Sequence, residues 1–163
     1  MIILGIDPGL QICGYAVIEA DRGREKIIEA GIFRTDSSAA LEVRLNQIAD
    51  DTRDLLEKFT PGVVAVEELY SHYKHPKTAI LMGHARGVIL AQAAQAGAAV
   101  KSFAATRIKK SLTGNGRADK QQVQEAIRTV FDLAELPEPA DVADALAAAL
   151  CCANAMTAPE IRV

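Results

Sequence analysis

Between Leu69 and Ala118 the chain contains no aspartate or glutamate. At its overall acid content, about six would be expected in fifty residues. Lys74, Lys77, Arg86, Lys101, Arg107, Lys109, Lys110 and Arg117 all fall in that stretch, which carries +8. The remainder, with 10 basic and 21 acidic residues, carries −11, so the net charge of −3 hides a segregation. A surface cleared of negative charge and furnished with Lys and Arg suits a phosphate backbone and points to nucleic acid. Part of the deficit is compositional, because residues 80–100 are mostly apolar and need few charges.

Long apolar runs are missing as well. The longest, Ala145–Ala153, is too short to span a bilayer, so no membrane association is expected. The N-terminus, Met-Ile-Ile-Leu-Gly-Ile-Asp, has no basic leader and does not read as a signal peptide. Three cysteines, with Cys151 and Cys152 adjacent, make a poor disulfide framework. They fit small buried hydrophobes in a reducing compartment. Internal repeats and low-complexity tails are absent too. The expectation is one cytoplasmic domain over residues 1–163, large enough to bury a core.

Ile2–Asp7 is a short β-branched run closed by Pro8-Gly9, and it reads as a strand and turn. Cys13–Glu19 and Lys26–Arg34 follow as strands, with Asp21-Arg22-Gly23 as the turn between them. Leu41, Leu45, Ile48, Leu55, Leu56 and Phe59 recur at a helical period, which predicts an amphipathic helix over 40–58, stopped by Pro61-Gly62. Val63–Glu67 is a continuous apolar run suited to a strand buried on both faces. A helix over 77–95, a strand at Ala99–Phe103, a short helix at 106–111, a helix over 119–131 and a last helix over 140–156 complete the order. Three strands, then alternating helices and strands, then three helices, imply an α/β protein with a mixed sheet covered by helices.

Asp7 and Glu67 each end an otherwise apolar strand, and either alone could be a strand-end residue meeting water. Asp141 and Asp144 are three apart, on one face of the first turn of a helix otherwise built from Ala, Val and Leu. A single acid there would be explained by the helix dipole. A like-charged pair repels unless a proton or a cation sits between its members. If the strands bearing Asp7 and Glu67 are neighbours and the last helix crosses their ends, four hard oxygen donors converge. Such a set selects Mg²⁺ or Mn²⁺ over Zn²⁺ and suits metal-assisted cleavage of a phosphodiester.

Ile3-Leu4-Gly5-Ile6-Asp7-Pro8-Gly9, Gly14-Tyr15, Val64-Ala65-Val66-Glu67, Gly83-His84-Ala85-Arg86-Gly87 and Ala140-Asp141-Val142-Ala143-Asp144-Ala145-Leu146-Ala147 together resemble the RuvC family of bacterial Holliday-junction resolvases. The motifs follow the family's order and spacing over nearly the whole chain. The resemblance implies a ribonuclease H-like fold with a five-stranded mixed sheet, a homodimer, and symmetric Mg²⁺-dependent nicking of four-way DNA junctions in recombination and repair. It implies that Asp7, Glu67, Asp141 and Asp144 are the catalytic acids and hold two Mg²⁺ per subunit, for which Mn²⁺ substitutes. Some members carry histidine at the position of Asp141. Lys109 and Lys120 match residues that contact junction phosphates, and Tyr70 matches an aromatic position near the crossover. Cooperation with the RuvA and RuvB branch-migration proteins is implied by the family alone. A basic tail found in some members has no counterpart before Val163.

Other features fill out the expected DNA surface. His72, Lys74, His75 and Lys77 interleave with Tyr70 and Tyr73 directly after Glu67, which suits stacking and phosphate contact at a junction centre. Arg107, Lys109, Lys110, Arg117 and Lys120 would hold the backbone, with the loop Gly114-Asn115-Gly116 offering backbone N–H groups. That loop lacks the spacing of a nucleotide-binding P-loop. A zinc site from His72, His75 and His84 has no fourth ligand. The Ala- and Gly-rich segment from Ala85 to Ala99 would serve a symmetric dimer or pack flat on the sheet. Competing readings are a general ribonuclease H-like nuclease, a non-catalytic junction-binding protein, and an ATP-binding actin-like lobe, which needs about twice this length.

Overall fold

The computed structural model describes residues 1–21, 23–69 and 76–157. The strands are β1 (Ile2–Asp7), β2 (Ile12–Asp21), β3 (Arg24–Arg34), β4 (Val63–Glu67) and β5 (Ala99–Phe103). The helices are α1 (Leu41–Phe59), α2 (Pro76–Gln95), α3 (Ala105–Thr113), α4 (Lys120–Val130) and α5 (Ala140–Thr157). Together they reproduce the expected element order. The sheet runs β3-β2-β1-β4-β5, antiparallel across β3, β2 and β1 and parallel across β1, β4 and β5.

Alternation along each strand sorts the core into two layers. Leu4 and Ile6 of β1, Val17 of β2, and Val64 and Val66 of β4 face α1 and α2, where they meet Ile48, Leu55, Leu56, Ala85, Ile89 and Ala93. Ile3, Ala16, Ile18, Val63 and Ala65 point the other way, against α5 with α3 and α4 around it. Since β4 is covered on both sides, its buried run Val63–Val66 has no polar alternation.

α5 is the most buried helix of the chain, with Val142, Ala143 and every residue from Ala145 to Ala153 inside. Taken whole, its 18 residues have the length and mean hydropathy of a membrane span, although the apolar run within it is too short. Most of that helix is buried against the sheet, which accounts for its composition. α4 opens on a reciprocal capping box, Asp119 accepting from Gln122 N–H while the Gln122 side chain accepts from Asp119 N–H. That cap fixes where Lys120 leaves the helix.

Candidate active site

The parallel pairing of β1 with β4 decides the site. Its register sets Ile6 beside Val66, so Asp7 and Glu67 are the next residues of two adjacent strands, at the same end of the sheet. Period-two alternation puts Asp7 on the face of Ile3 and Gly5, and Glu67 on the face of Val63 and Ala65. That is the α5 face. The C-terminal edge of parallel strands is where open α/β sheets place their sites.

α5 is then lowered onto those ends by two glycines. Gly14 lies opposite Asp7 in the β1–β2 ladder, and a Cβ on it would run into the backbone carbonyl of Asp141. Gly5, two residues before Asp7, lies under Ala145 and Ala149, and a Cβ there would strike the Ala145 carbonyl. The helix thus rests backbone-to-backbone on the strands, and its N-terminal end, bearing Asp141 and Asp144, arrives beside Asp7. Neither contact was anticipated from the sequence, although a glycine inside a strand is itself a sign of close backbone approach.

The carboxylates act on one another electrically. Burial, followed by the charges of Asp144, Asp141 and Glu67, pushes the Asp7 carboxyl up to about 7, against a lowering by Lys120. Glu67 is raised by burial and then by Asp144, with Lys109 opposing. Asp144 is raised by burial, opposed chiefly by Lys120, whose Nζ stands 3.4 Å from it. Hard oxygen donors that repel one another fit a hard divalent cation well. Among the described residues no three acidic, histidine or cysteine side chains already stand at chelating distance, so the carboxylates surround the site without closing on it.

Glu67 and Asp144 also line a cleft of about 310 Å³ with Lys109, Lys120, Ala105, Ile108, Val123 and Ala147. Of the described residues expected to contact DNA, Lys109 and Lys120 line this cleft beside the acids. Arg107 and Lys110 are exposed on α3, with the Arg107 guanidinium over the Phe103 ring at 5.2 Å. Arg117 is exposed before α4, its N–H donating to Asn115 Oδ1, and Lys77 is exposed in the first turn of α2. Tyr70, His72, Tyr73, Lys74 and His75 lie outside the described residues. His84, the remaining member of the zinc alternative, is exposed on α2.

The turn after Asp7 is held from three sides. Cys13 Sγ donates to the Gly9 carbonyl at 2.8 Å, and burial pushes that thiol up to about 12, so it stays a neutral donor. Thr35 Oγ1 donates to the Leu10 carbonyl at 2.5 Å, and Arg44 donates to both Thr35 Oγ1 and the Leu10 carbonyl. Sequence reasoning missed the ties of Thr35 and Arg44 to Leu10 because those partners lie 25 and 34 positions apart in the chain.

The model of the family described as RuvC, crossover junction endodeoxyribonuclease, matches residues 3–152. The chain belongs to the RuvC family. It is an endodeoxyribonuclease of the crossover junction kind. A RuvC of Rhodopirellula baltica is 49% identical over 149 residues, covering 91% of this chain and 84% of that one. A RuvC of Heliobacterium modesticaldum is 45% identical over 157 residues, covering 96% of each. Thermus thermophilus RuvC in complex with Holliday junction substrate superposes with a TM-score of 0.91 at 31% identity, covering 96% of this chain and 95% of that one. These matches establish the ribonuclease H-like fold expected from the motifs.

Proposed function

We propose that this RuvC-family enzyme resolves four-way DNA junctions by symmetric nicking, with Asp7, Glu67, Asp141 and Asp144 as its catalytic, metal-binding residues. The observation that carries the reading is that β1, β4 and α5 bring Asp7, Glu67 and Asp144 to the same end of the sheet, where burial raises each carboxyl and the charge of Asp144 raises Asp7 and Glu67 further. A pair of Mg²⁺ ions, replaceable by Mn²⁺, would supply the Lewis acidity for attack of water on phosphorus and for departure of the strand-end oxygen.

The chain's own residues do the rest. Asp7, half-buried at the strand end, and Asp144, opposite Lys120, present hard oxygens from rigid elements. Lys109 and Lys120 bring positive charge to the rim of the cleft, where a phosphate flanking the cut would lie. Arg107, Lys110, Arg117 and Lys77, with Lys74, would extend the contact along the backbone, and Tyr70 would stack on an exposed base near the crossover. The mean chemistry of the surface is thus electrostatic and sequence-tolerant, as suits recognition of DNA by shape.

A junction cut symmetrically needs two sites related by a two-fold axis, so the working form is a homodimer. The exposed side of α2, including Ile80 and the small residues Gly87, Ala91 and Ala94, offers a face for it. The enzyme would act in the cytoplasm on junctions delivered by RuvA and RuvB. Nicking of a synthetic four-way junction with Mg²⁺, compared with a plain duplex and an RNA–DNA hybrid, tests the reading. Paired nicks confined to the junction are expected; equal cleavage of the hybrid would make it a general ribonuclease H-like nuclease. Sedimentation showing only monomer, with full cleavage retained, would remove the dimer.

A further inference from the structure

Arg86 lies midway along α2, on the opposite side of the sheet from α5, and is half-buried. Its guanidinium meets the ends of β4 and β5 from the α2 face. Nε donates to the backbone carbonyl of Glu67 at 3.2 Å, and Nη2 donates to Ser102 Oγ at 2.7 Å. Among the described residues no carboxylate forms an ion pair with it.

Glu67 is the residue at which β4 loses its pairing with β1. Pairing with β1 ends at Ile6 and Val66, whereas pairing with β5 continues to Glu67 and Phe103. Beyond it, Glu68 N–H donates to the Phe103 carbonyl at 2.9 Å, so the last ties run to the edge strand alone. A side chain aimed from such a strand end takes its direction from whatever fixes the local peptide. Arg86 supplies a charge-assisted bond to that peptide and braces it against Ser102 of β5. The planar fork of arginine can hold both partners at once, while a lysine ammonium is a point charge on a flexible stem.

We propose that Arg86 is a positioning residue that fixes the direction in which the Glu67 carboxylate leaves the sheet toward Asp7 and Asp144. It rests on the reading of Glu67 as a metal-binding acid. Arg86 also lies in the acid-free stretch, so a direct phosphate contact is the rival role.

The two roles separate in R86M, R86K and S102A. Mn²⁺ binding is measured by calorimetry without DNA, junction affinity in chelator, thermal stability by melting, and nicking as a function of Mg²⁺. R86M should weaken Mn²⁺ binding and raise the half-saturating Mg²⁺ about tenfold or more, as loss of a group orienting a metal ligand does. Junction affinity should stay at the wild-type value. R86K should recover little, and S102A should shift in the same direction by less. Unchanged Mn²⁺ affinity with weakened junction binding overturns the proposal in favour of the phosphate contact, and unchanged values for both overturn it outright. Should R86M fail to fold, R86K and S102A carry the comparison, and wild-type Mn²⁺ affinity in both overturns it. Wild-type protein that binds no Mn²⁺, or Asp7→Asn that binds it undiminished, strikes the carboxylate reading instead.

Discussion

The two faces of the sheet are packed on different principles. The α1/α2 face is filled with large aliphatics, Leu4, Ile6, Val17, Val64, Val66, Ile48 and Ile89, whose bulk holds the helices off the strands. Where it carries the carboxylates, the α5 face is built from Gly5, Gly14, Ala16, Ala65, Ala143, Ala145 and Ala149, so backbone meets backbone. One face converts apolar volume into stability. The other gives up side-chain volume for proximity, which is what lets two acids on a helix reach two acids on strands. Stability and chemistry therefore respond to different substitutions.

The largest effect should come from the acids themselves. Glu67→Gln should reduce junction nicking at least on the order of a hundred- to thousandfold while the protein stays folded, measured as single-turnover rate at saturating Mg²⁺. Next comes the seat of α5. Gly14→Ala should displace the first turn of α5 and cost about a hundredfold in nicking, with about 1–3 kcal/mol of stability. On the opposite face, Ile89→Ala should cost about 2–5 kcal/mol in denaturant unfolding yet leave the rate per folded molecule near wild type. If Ile89→Ala and Gly14→Ala lost activity in equal proportion to stability, the contrast between the faces would be wrong.

Two smaller effects sharpen it. Asp7 has a folded-state pKa near 7, well above its usual value of 3.8, so the metal-free native state binds more protons than the unfolded chain between those values. Its contribution therefore falls as pH rises from about 4 toward 7 and is flat above that. Asp7→Asn should remove this decline and raise the metal-free melting temperature at pH 8, whereas metal added to the wild type should release protons near pH 6. Lys120 and Asp144 have side chains 59% and 37% exposed, so their ion pair contributes no more than about 1 kcal/mol. Lys120→Met should instead reduce the salt dependence of junction affinity, lowering the log–log slope by about one.

Much of this was legible in the sequence, and the exceptions have one cause. Local signals placed every strand and helix to within a few residues. β2 and β3 extend further than expected, to Asp21 and back to Arg24, because the antiparallel ladder continues up to the turn at Gly23. α3 runs on to Thr113, where Gly114 takes the left-handed conformation that ends it. Asp141 and Asp144 were a pair by spacing alone. Asp7 and Glu67 became neighbours only through a parallel pairing reached by way of α1, which no local pattern encodes. Arg86 on Glu67, Arg44 on Leu10 and Gly14 under Asp141 join residues 19, 34 and 127 positions apart. Contacts of that kind belong to the fold, and they are what aims the acids.

Asp7→Asn puts the central claim to its most direct trial, with nicking and binding of one synthetic four-way junction measured side by side. The account predicts junction affinity in chelator close to wild type, Mn²⁺ binding sharply weakened, and nicking reduced to background at any Mg²⁺ concentration. A variant that nicks at the wild-type rate would contradict it, because the carboxylates at the strand ends would then not be the catalytic centre.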